Sequence, residues 1–115
     1  MLKDTVITEL QNAKAENIIC IDLRGQDGAI SDFFIICHGN SSTHVEGIYK
    51  GVSKNVEDLI QQKPWHEEGV SNASWILLDY VNVIVHIFQE EERHFYALEQ
   101  LWADAPKEEL ESLKN

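Results

Sequence analysis

The chain has 115 residues, of which 43% are hydrophobic, and its 20 acidic and 9 basic side chains give a formal net charge of -11. This length suits one domain with its own core. The charge disfavours direct binding to nucleic acid or anionic membranes and favours a basic partner. No apolar run approaches the roughly 20 residues that cross a bilayer, and no signal-peptide pattern is visible. We therefore expect a soluble, cytoplasmic protein.

The first third of the chain predicts one helix and one hairpin. Apolar residues at helical spacing indicate an amphipathic helix over 2–15. Two apolar runs, 18–23 and 30–37, flank a turn with two glycines and predict paired strands. Cys20 and Cys37 lie inside these runs, which is typical of buried thiols in a reducing compartment and indicates no disulfide.

The middle of the chain predicts a long helix. Thr43 and Glu46 have the spacing of a capping box, and Lys63-Pro64 ends the helix. A polar segment at 65–69 is a candidate edge strand. The predicted apolar stripe of the helix consists of Val45, Ile48, Tyr49, Val52, Val56, Leu59 and Ile60.

A second hairpin is predicted from 75–78 and 83–88, with its turn centred on Val81-Asn82. Alternation of side chains then divides the hairpin into two faces. The face suited to a core carries Ile76, Leu78, Tyr80, Val83, Val85 and Ile87. The other face mixes large apolar with polar groups and suits recognition better than burial under a helix. It carries Trp75, Leu77, Asp79, Ile84, His86 and Phe88.

The last predicted helix covers 90–105 and ends at Pro106. Phe95, Leu98 and Trp102 fall on one stripe of it. The charged segment 107–115 is predicted as a helical turn or a frayed tail, so the domain would span 1–106. The order of elements predicts an α+β fold, with a mixed sheet and helices mainly on one face.

Patterns for catalysis are missing from the sequence. The turn Arg24-Gly-Gln-Asp-Gly28 has neither dinucleotide-binding spacing nor a P-loop lysine, and the histidines lack metal-binding spacing. We therefore predict no catalytic residue, metal or cofactor. Three residues of the second hairpin and last helix have two interpretations each. His86 is a hydrogen-bonded core-edge residue or a partner contact, Asp79 caps the turn or forms an intermolecular salt bridge, and Arg93 forms a solvated ion pair or a partner contact.

These residues together resemble the ribosomal silencing factor family, also called Iojap-like. The resemblance covers residues 4–104 and is specific only in its combined spacing. Val81-Asn82 departs from the Gly-Asp that the family often has, which predicts a wider turn because valine disfavours positive φ. The residues that carry the resemblance are Ile21-Asp22-Leu23, Ser31-Asp32-Phe33-Phe34-Ile35-Ile36-Cys37, Gly39-Asn40-Ser41-Ser42, His44-Val45, Trp75-x-Leu77-x-Asp79-Tyr80, Val83-x-Val85-His86-x-Phe88 and Glu91-x-Arg93-x-x-Tyr96-x-Leu98-Glu99-x-Leu101-Trp102.

The resemblance implies a fold similar to nucleotidyltransferases, although no Asp-x-Asp metal pair follows Gly39-Asn40-Ser41. It also implies binding to the large ribosomal subunit, through the protein numbered fourteen at its subunit-joining face. Members of the family block the small subunit there and lower translation; organellar relatives assist large-subunit assembly, and several members are homodimers. The residues expected to form or support the contact are Trp75, Leu77, Asp79, His86, Phe88, Arg93 and Tyr96.

Two other interpretations stay open. One is a nucleotidyltransferase-like enzyme that holds a divalent ion with Asp22, Asp32 or Asp79. The other is a dimeric adaptor in which Phe95 and Trp102 pair with a second copy. Nucleotide or Mg²⁺ binding would favour the first, and sedimentation at several concentrations tests the second.

Overall fold

The helices and strands are those of a computed structural model, which describes residues 1–112. The last part of the predicted tail, 113–115, lies outside the described residues. The helices are α1 (Leu2–Asn12), α2 (Ser42–Ile60), α3 (Glu90–Tyr96) and α4 (Leu98–Leu101). The strands are β1 (Glu16–Asp22), β2 (Phe33–Gly39), β3 (His66–Glu68), β4 (Trp75–Asp79), β5 (Val83–Gln89) and β6 (Lys107–Leu110).

The strands form one mixed sheet in the order β3-β4-β5-β2-β1-β6. β2 and β5 run parallel at its centre, whereas the other neighbouring pairs are antiparallel. A parallel pair requires a long crossover, and α2 begins the one that joins β2 to β5. The predicted α+β class with a mixed sheet is therefore confirmed. The predicted polar edge strand is also present, as β3.

The main core lies between the sheet and the two longer helices. In the second hairpin Ile76 pairs with Ile87 and Leu78 with Val85, which confirms the predicted register. Full burial of one such aliphatic side chain stabilises the fold by about 1.5–3 kcal/mol. The predicted core face of this hairpin is buried throughout, and it joins a cluster with Val6, Leu10, Val45, Ile48, Val52 and Val56 of α1 and α2.

The cysteines are free thiols buried in adjacent central strands. Burial raises the pKa of Cys20 to about 11 and that of Cys37 to about 12. The expected burial is therefore confirmed. Both thiols are protonated at neutral pH and are poor nucleophiles in the folded protein.

α2 begins with a different cap from the predicted one. Ser41 precedes the helix, and its hydroxyl oxygen accepts a hydrogen bond from the His44 amide at 3.1 Å. The capping box of Thr43 and Glu46 is therefore wrong, because both residues already lie inside the helix. The apolar stripe is confirmed for its buried members, but Leu59 is 60% exposed near the end of the helix.

The chain enters β1 through two residues with positive φ. Lys14 has φ +63, so α1 ends at Asn12 and not at residue 15. Asn17 has φ +49 and lies at a β-bulge, where the pairing with β2 shifts between Glu16 and Ile19. A bulge leaves backbone groups unpaired and opens the ladder locally.

The hairpin between β4 and β5 closes through a tight turn. Val81 has φ +77, and the Asn82 amide donates to the Tyr80 carbonyl at 3.0 Å, the two-residue span of a γ-turn. The Val81 amide donates to the Asp79 carboxylate at 2.7 Å. The turn-capping interpretation of Asp79 is therefore confirmed. The prediction of a wider turn is wrong because this carboxylate and the Tyr80 amide, which donates to Val83 at 2.9 Å, hold valine in a disfavoured conformation.

β2 starts three residues later than predicted. Ile30 is 79% exposed in the preceding loop, and the strand begins at Phe33. The loop is tied to the second hairpin because the amides of Asp32 and Phe33 both donate to the Asn82 carbonyl at 3.1 Å. The loop before β2 and the β4–β5 turn therefore lie together at one end of the sheet.

The C-terminal part differs most from expectation. The single predicted helix over 90–105 is wrong, because Ala97 adopts φ +47 and separates α3 from α4. Phe95 is consequently 81% exposed and does not share a buried stripe with Leu98 and Trp102.

β6 replaces part of the predicted tail. Lys107–Leu110 pairs antiparallel with the free edge of β1, so neither a helical turn nor a frayed tail is present there. The segment is polar and has no strand pattern of its own; its conformation comes from the neighbouring strand.

Candidate partner-binding face

The candidate site lies on the side of the sheet opposite α1 and α2. We call this side of β4 and β5, with Tyr96 of α3, the aromatic face. Because side chains alternate along a strand, every second residue of β4 and β5 points to it. Its members are Trp75, Leu77, Asp79, Ile84, His86, Phe88 and Tyr96.

Trp75 is the centre of the aromatic face. Its ring stacks on Phe88, with centroids 4.8 Å apart and an interplanar angle of 26°, and contacts Tyr96 at 4.7 Å. The indole is only partly buried. Aromatic pairs at these separations add about 0.5–1.5 kcal/mol beyond their buried area. The indole is therefore held in one orientation while part of it stays accessible.

His86 fixes the polar end of that indole. Trp75 Nε1 lies 3.1 Å from His86 Nδ1, and since an indole nitrogen only donates, Nδ1 accepts and the proton is on Nε2. His86 is 3% exposed, and its ring lies 4.7 Å from that of Phe34. Burial lowers its pKa to about 4. A neutral histidine thus orients Trp75 from below, which is the core-edge interpretation of His86 and not a surface contact.

Arg93 is also inside the molecule. It is 6% exposed, and its guanidinium donates from Nε to Glu99 at 3.2 Å and from Nη1 to His38 Nδ1 at 2.9 Å. Nη1 also lies 3.4 Å from the carbonyl of Glu16, beside the β-bulge. Burial and the Arg93 charge both lower the pKa of His38. The solvated ion pair considered for Arg93 is wrong: the residue ties α3 to β1 and β2.

The accessible part of the face is smaller than the sequence predicts. Ile84 and Phe88 are 4% and 0% exposed, because Phe34, Leu98 and Trp102 pack with them. The expectation that this side suits recognition better than burial is therefore wrong for its inner residues, including His86. It is the α3–α4 segment and the loop to Ala105 that cover them.

Apolar groups remain accessible around this buried centre. Trp75 and Leu77 are partly buried, Tyr96 is 47% exposed and Phe95 is 81% exposed. Asp79 is partly buried at the far end of β4, two residues beyond Leu77. Exposed aromatics with a carboxylate at the rim are typical of a protein-binding patch.

Sequence reasoning missed Phe95 as a surface residue and Phe34 as a support. Phe95 fits the apolar period of a continuous helix, and nothing in the sequence indicates that the helix breaks at Ala97. Phe34 lies in a strand of continuous apolar residues, so periodicity does not show which side of the sheet it faces.

Two of the three carboxylates of the enzyme interpretation, Asp22 and Asp79, lie apart. Asp22 lies at the end of β1 and Asp79 at the end of β4, three strand positions apart, which is about 14 Å. Asp22 binds Arg24 at 2.8 Å, which holds the pKa of Asp22 down at about 2, and Asp79 caps its own turn. Among residues 1–112 no three or more His, Cys, Asp or Glu side chains are grouped to hold a metal. Likewise, none of the helices described there is both long and apolar enough for a membrane span.

Comparison with known proteins gives one consistent result. A model of the family described as "Ribosomal silencing factor during starvation" matches residues 2–115. The chain is 38% identical to ribosomal silencing factor RsfS of Halalkalibacterium halodurans over 113 residues, covering 97% of this chain and 94% of that protein. It is 40% identical to the RsfS of Bacillus subtilis over 99 residues, covering 85% of this chain and 81% of the relative. A mouse protein named for mitochondrial assembly of the ribosomal large subunit is 26% identical, with 86% of this chain and 44% of that protein covered.

Solved structures have the same fold. A crystal structure of a Bacillus halodurans protein superposes with a TM-score of 0.79 at 35% identity, covering 95% of this chain and 97% of that one. A Chromobacterium violaceum protein gives a TM-score of 0.82 at 22% identity, covering 99% of this chain and 87% of its own. At that identity the second likeness concerns the fold alone.

Proposed function

We propose, from the premise that this chain belongs to the ribosomal silencing factor family, that it represses translation by binding the large ribosomal subunit. The contact is made with the protein numbered fourteen, at the face that joins the small subunit. The bound protein then excludes the small subunit sterically. The single observation that carries this proposal is the partly accessible Trp75, fixed by His86 and Phe88 on the aromatic face.

Charge supports the choice of partner. A protein with a net charge of -11 is attracted to basic ribosomal proteins before contact and is repelled by bare RNA. Asp79 at the rim meets a basic side chain of the partner, while Trp75 and Tyr96 supply the apolar anchors. A specific contact hides roughly 800 Å² on each partner, which a sheet face with a helix edge provides.

The seven predicted contact residues take two roles in this proposal. Trp75, Leu77, Asp79 and Tyr96 touch the partner, because each keeps accessible surface. The three inner residues support them: His86 orients the indole, Phe88 stacks beneath it, and Arg93 holds α3 in place.

Co-sedimentation with purified large subunits tests the contact. We expect Trp75→Ala and Asp79→Lys to weaken binding at least tenfold, since anchor truncations and reversed charges commonly cost more than 1.4 kcal/mol. The matched controls are Trp65→Ala, a tryptophan that is 78% exposed before β3, and Asp58→Lys on α2. Undiminished binding by both folded aromatic-face variants would reject this face.

Subunit joining tests the mechanism separately. Saturating amounts of the protein should reduce the formation of intact ribosomes from purified subunits, and Trp75→Ala should restore it. Binding to the large subunit without any effect on joining would retain the partner but reject steric exclusion.

A homodimer through Phe95 is a second proposal; Trp102, the other residue of that interpretation, packs on the buried cluster with Ile84 and Phe88. Phe95 is 81% exposed, which favours the dimer, because burying a large apolar side chain against a second copy is favourable in free energy. Sedimentation of wild type and Phe95→Ser at several concentrations decides it. A wild type that is monomeric at every concentration would contradict the dimer.

A further inference from the structure

We propose that the end of the sheet carrying Val81 and Ile30 is a second contact region for the same positively charged protein partner. We call this end of the molecule the tip; it comprises the β4–β5 turn and the loop before β2. The proposal rests on the proposed function, because it extends the aromatic face along β4 to the hairpin end.

The backbone at Val81 carries the argument. A β-branched residue at φ +77 is a rare outlier, and its strain costs free energy that the folded state must offset. The side chain gives little in return within the fold, because Val81 is 57% exposed. Glycine or asparagine would suit this turn better, so the fold does not account for valine here. A contact between the valine side chain and an apolar partner surface accounts for it.

The tip contains a second exposed aliphatic group. Ile30 is 79% exposed in the loop whose later amides, at Asp32 and Phe33, bond to the Asn82 carbonyl. These two hydrogen bonds join the end of the loop to the turn, so Ile30 lies two residues from a fixed position. An exposed aliphatic residue close to such a position loses less entropy on contact than one in an unattached loop.

Charges around the tip identify the kind of partner. Asp27 and Asp32 are exposed and Asp79 is partly exposed. Of the two nearby cations, Arg24 is bound to Asp22 at 2.8 Å and Lys3 lies over the Phe33 ring at 5.0 Å, so the carboxylates are in excess. Aliphatic groups among carboxylates fit a basic protein surface with an apolar centre and disfavour RNA. Asp79 lies between the tip and Trp75, so one partner surface reaches both.

The test is binding to purified large subunits by Val81→Asn and Ile30→Asn, with melting temperatures measured in parallel. We expect each variant to bind about tenfold more weakly, the loss for one aliphatic side chain no longer buried. The melting temperature of Val81→Asn should equal or exceed that of wild type, since asparagine tolerates positive φ. Val81→Ile, which keeps the branched side chain, should bind like wild type.

Leu59→Asn is the matched control, an aliphatic residue 60% exposed near the end of α2. Binding by Val81→Asn within twofold of wild type would overturn the tip, and so would an equal loss in Leu59→Asn. If wild type itself fails to bind, the proposed function fails and the tip fails with it. Wild-type binding with an unaffected Val81→Asn rejects the tip alone.

Discussion

The two sides of the sheet use the same strands but differ in how completely they are covered. On the side of α1 and α2, the apolar residues of β4 and β5 are all buried. On the aromatic face the inner residues are equally buried, while Trp75 and Leu77 keep accessible surface. The difference teaches that an accessible aromatic patch can be the edge of a partly covered core, whose buried residues hold the exposed ones in place.

The largest effect should come from removing the buried base of the aromatic face. Phe88→Ala should reduce the free energy of unfolding by about 3–5 kcal/mol, because the residue is 0% exposed and leaves a cavity under Trp75. Phe95→Ala, on the exposed side of α3, should change it by less than about 0.5 kcal/mol. Urea unfolding followed by circular dichroism measures both. Equal losses of unfolding free energy in the two variants would contradict the difference in burial between Phe88 and Phe95.

Adjacent residues of β4 compare the two sides directly. Ile76 faces α2 and is fully buried, so Ile76→Ala should reduce the free energy of unfolding by about 2–5 kcal/mol. Leu77→Ala should reduce it by about 1 kcal/mol, because its side chain is only partly buried. The same unfolding experiment applies, and a larger loss for Leu77 would contradict the assignment of sides.

The buried guanidinium should contribute more than an exposed one. Arg93→Met leaves Glu99 and His38 without their donor and should reduce the free energy of unfolding by about 2 kcal/mol. Arg24→Met, at an ion pair whose arginine is 62% exposed, should cost less than about 1 kcal/mol. If Arg93→Met left the free energy of unfolding unchanged, α3 would be held by its apolar contacts alone.

His86 should add a pH dependence to the stability of the fold. Its pKa of about 4 lies below the ordinary value of 6.5, so between these pH values the unfolded chain binds a proton that the folded protein excludes. Stability should therefore fall as pH drops from 6.5 to 4, by at most about 1.4 kcal/mol per pH unit for this group. His86→Gln can still accept from Trp75 but lacks this titration. Unfolding curves at several pH values should be less steeply pH-dependent for the variant; identical slopes would contradict the burial of His86.

The parts of the fold that depend on local alternation were predictable. Alternating residues in β4 and β5 fixed their register and their core face, and the apolar period of α2 identified the side that packs on the sheet. These signals arise within one element or between neighbouring strands, where sequence spacing equals spatial spacing.

The coverage of the aromatic face was not predictable, because it depends on contacts between distant segments. Ala97 takes a left-handed conformation without being glycine, which turns Phe95 outward. Arg93 is buried among partners from three separate segments, Glu99, His38 and the carbonyl of Glu16. Likewise, β6 is a strand because β1 has a free edge. Trp75, Leu77, Asp79 and Tyr96 therefore stay predicted contacts, whereas the supporting positions of His86, Phe88 and Arg93 are visible only in the folded molecule.

The parallel pairing of β2 with β5, here called the seam, bears on the order in which the strands pair during folding. Each antiparallel hairpin closes over a short loop, but the seam brings Phe33 beside Val83, far along the chain, and such closures are slow. We expect the two hairpins to form first and the seam to lock last. In pulsed hydrogen exchange during refolding, amides that bond between β4 and β5 should then be protected before those that bond between β2 and β5.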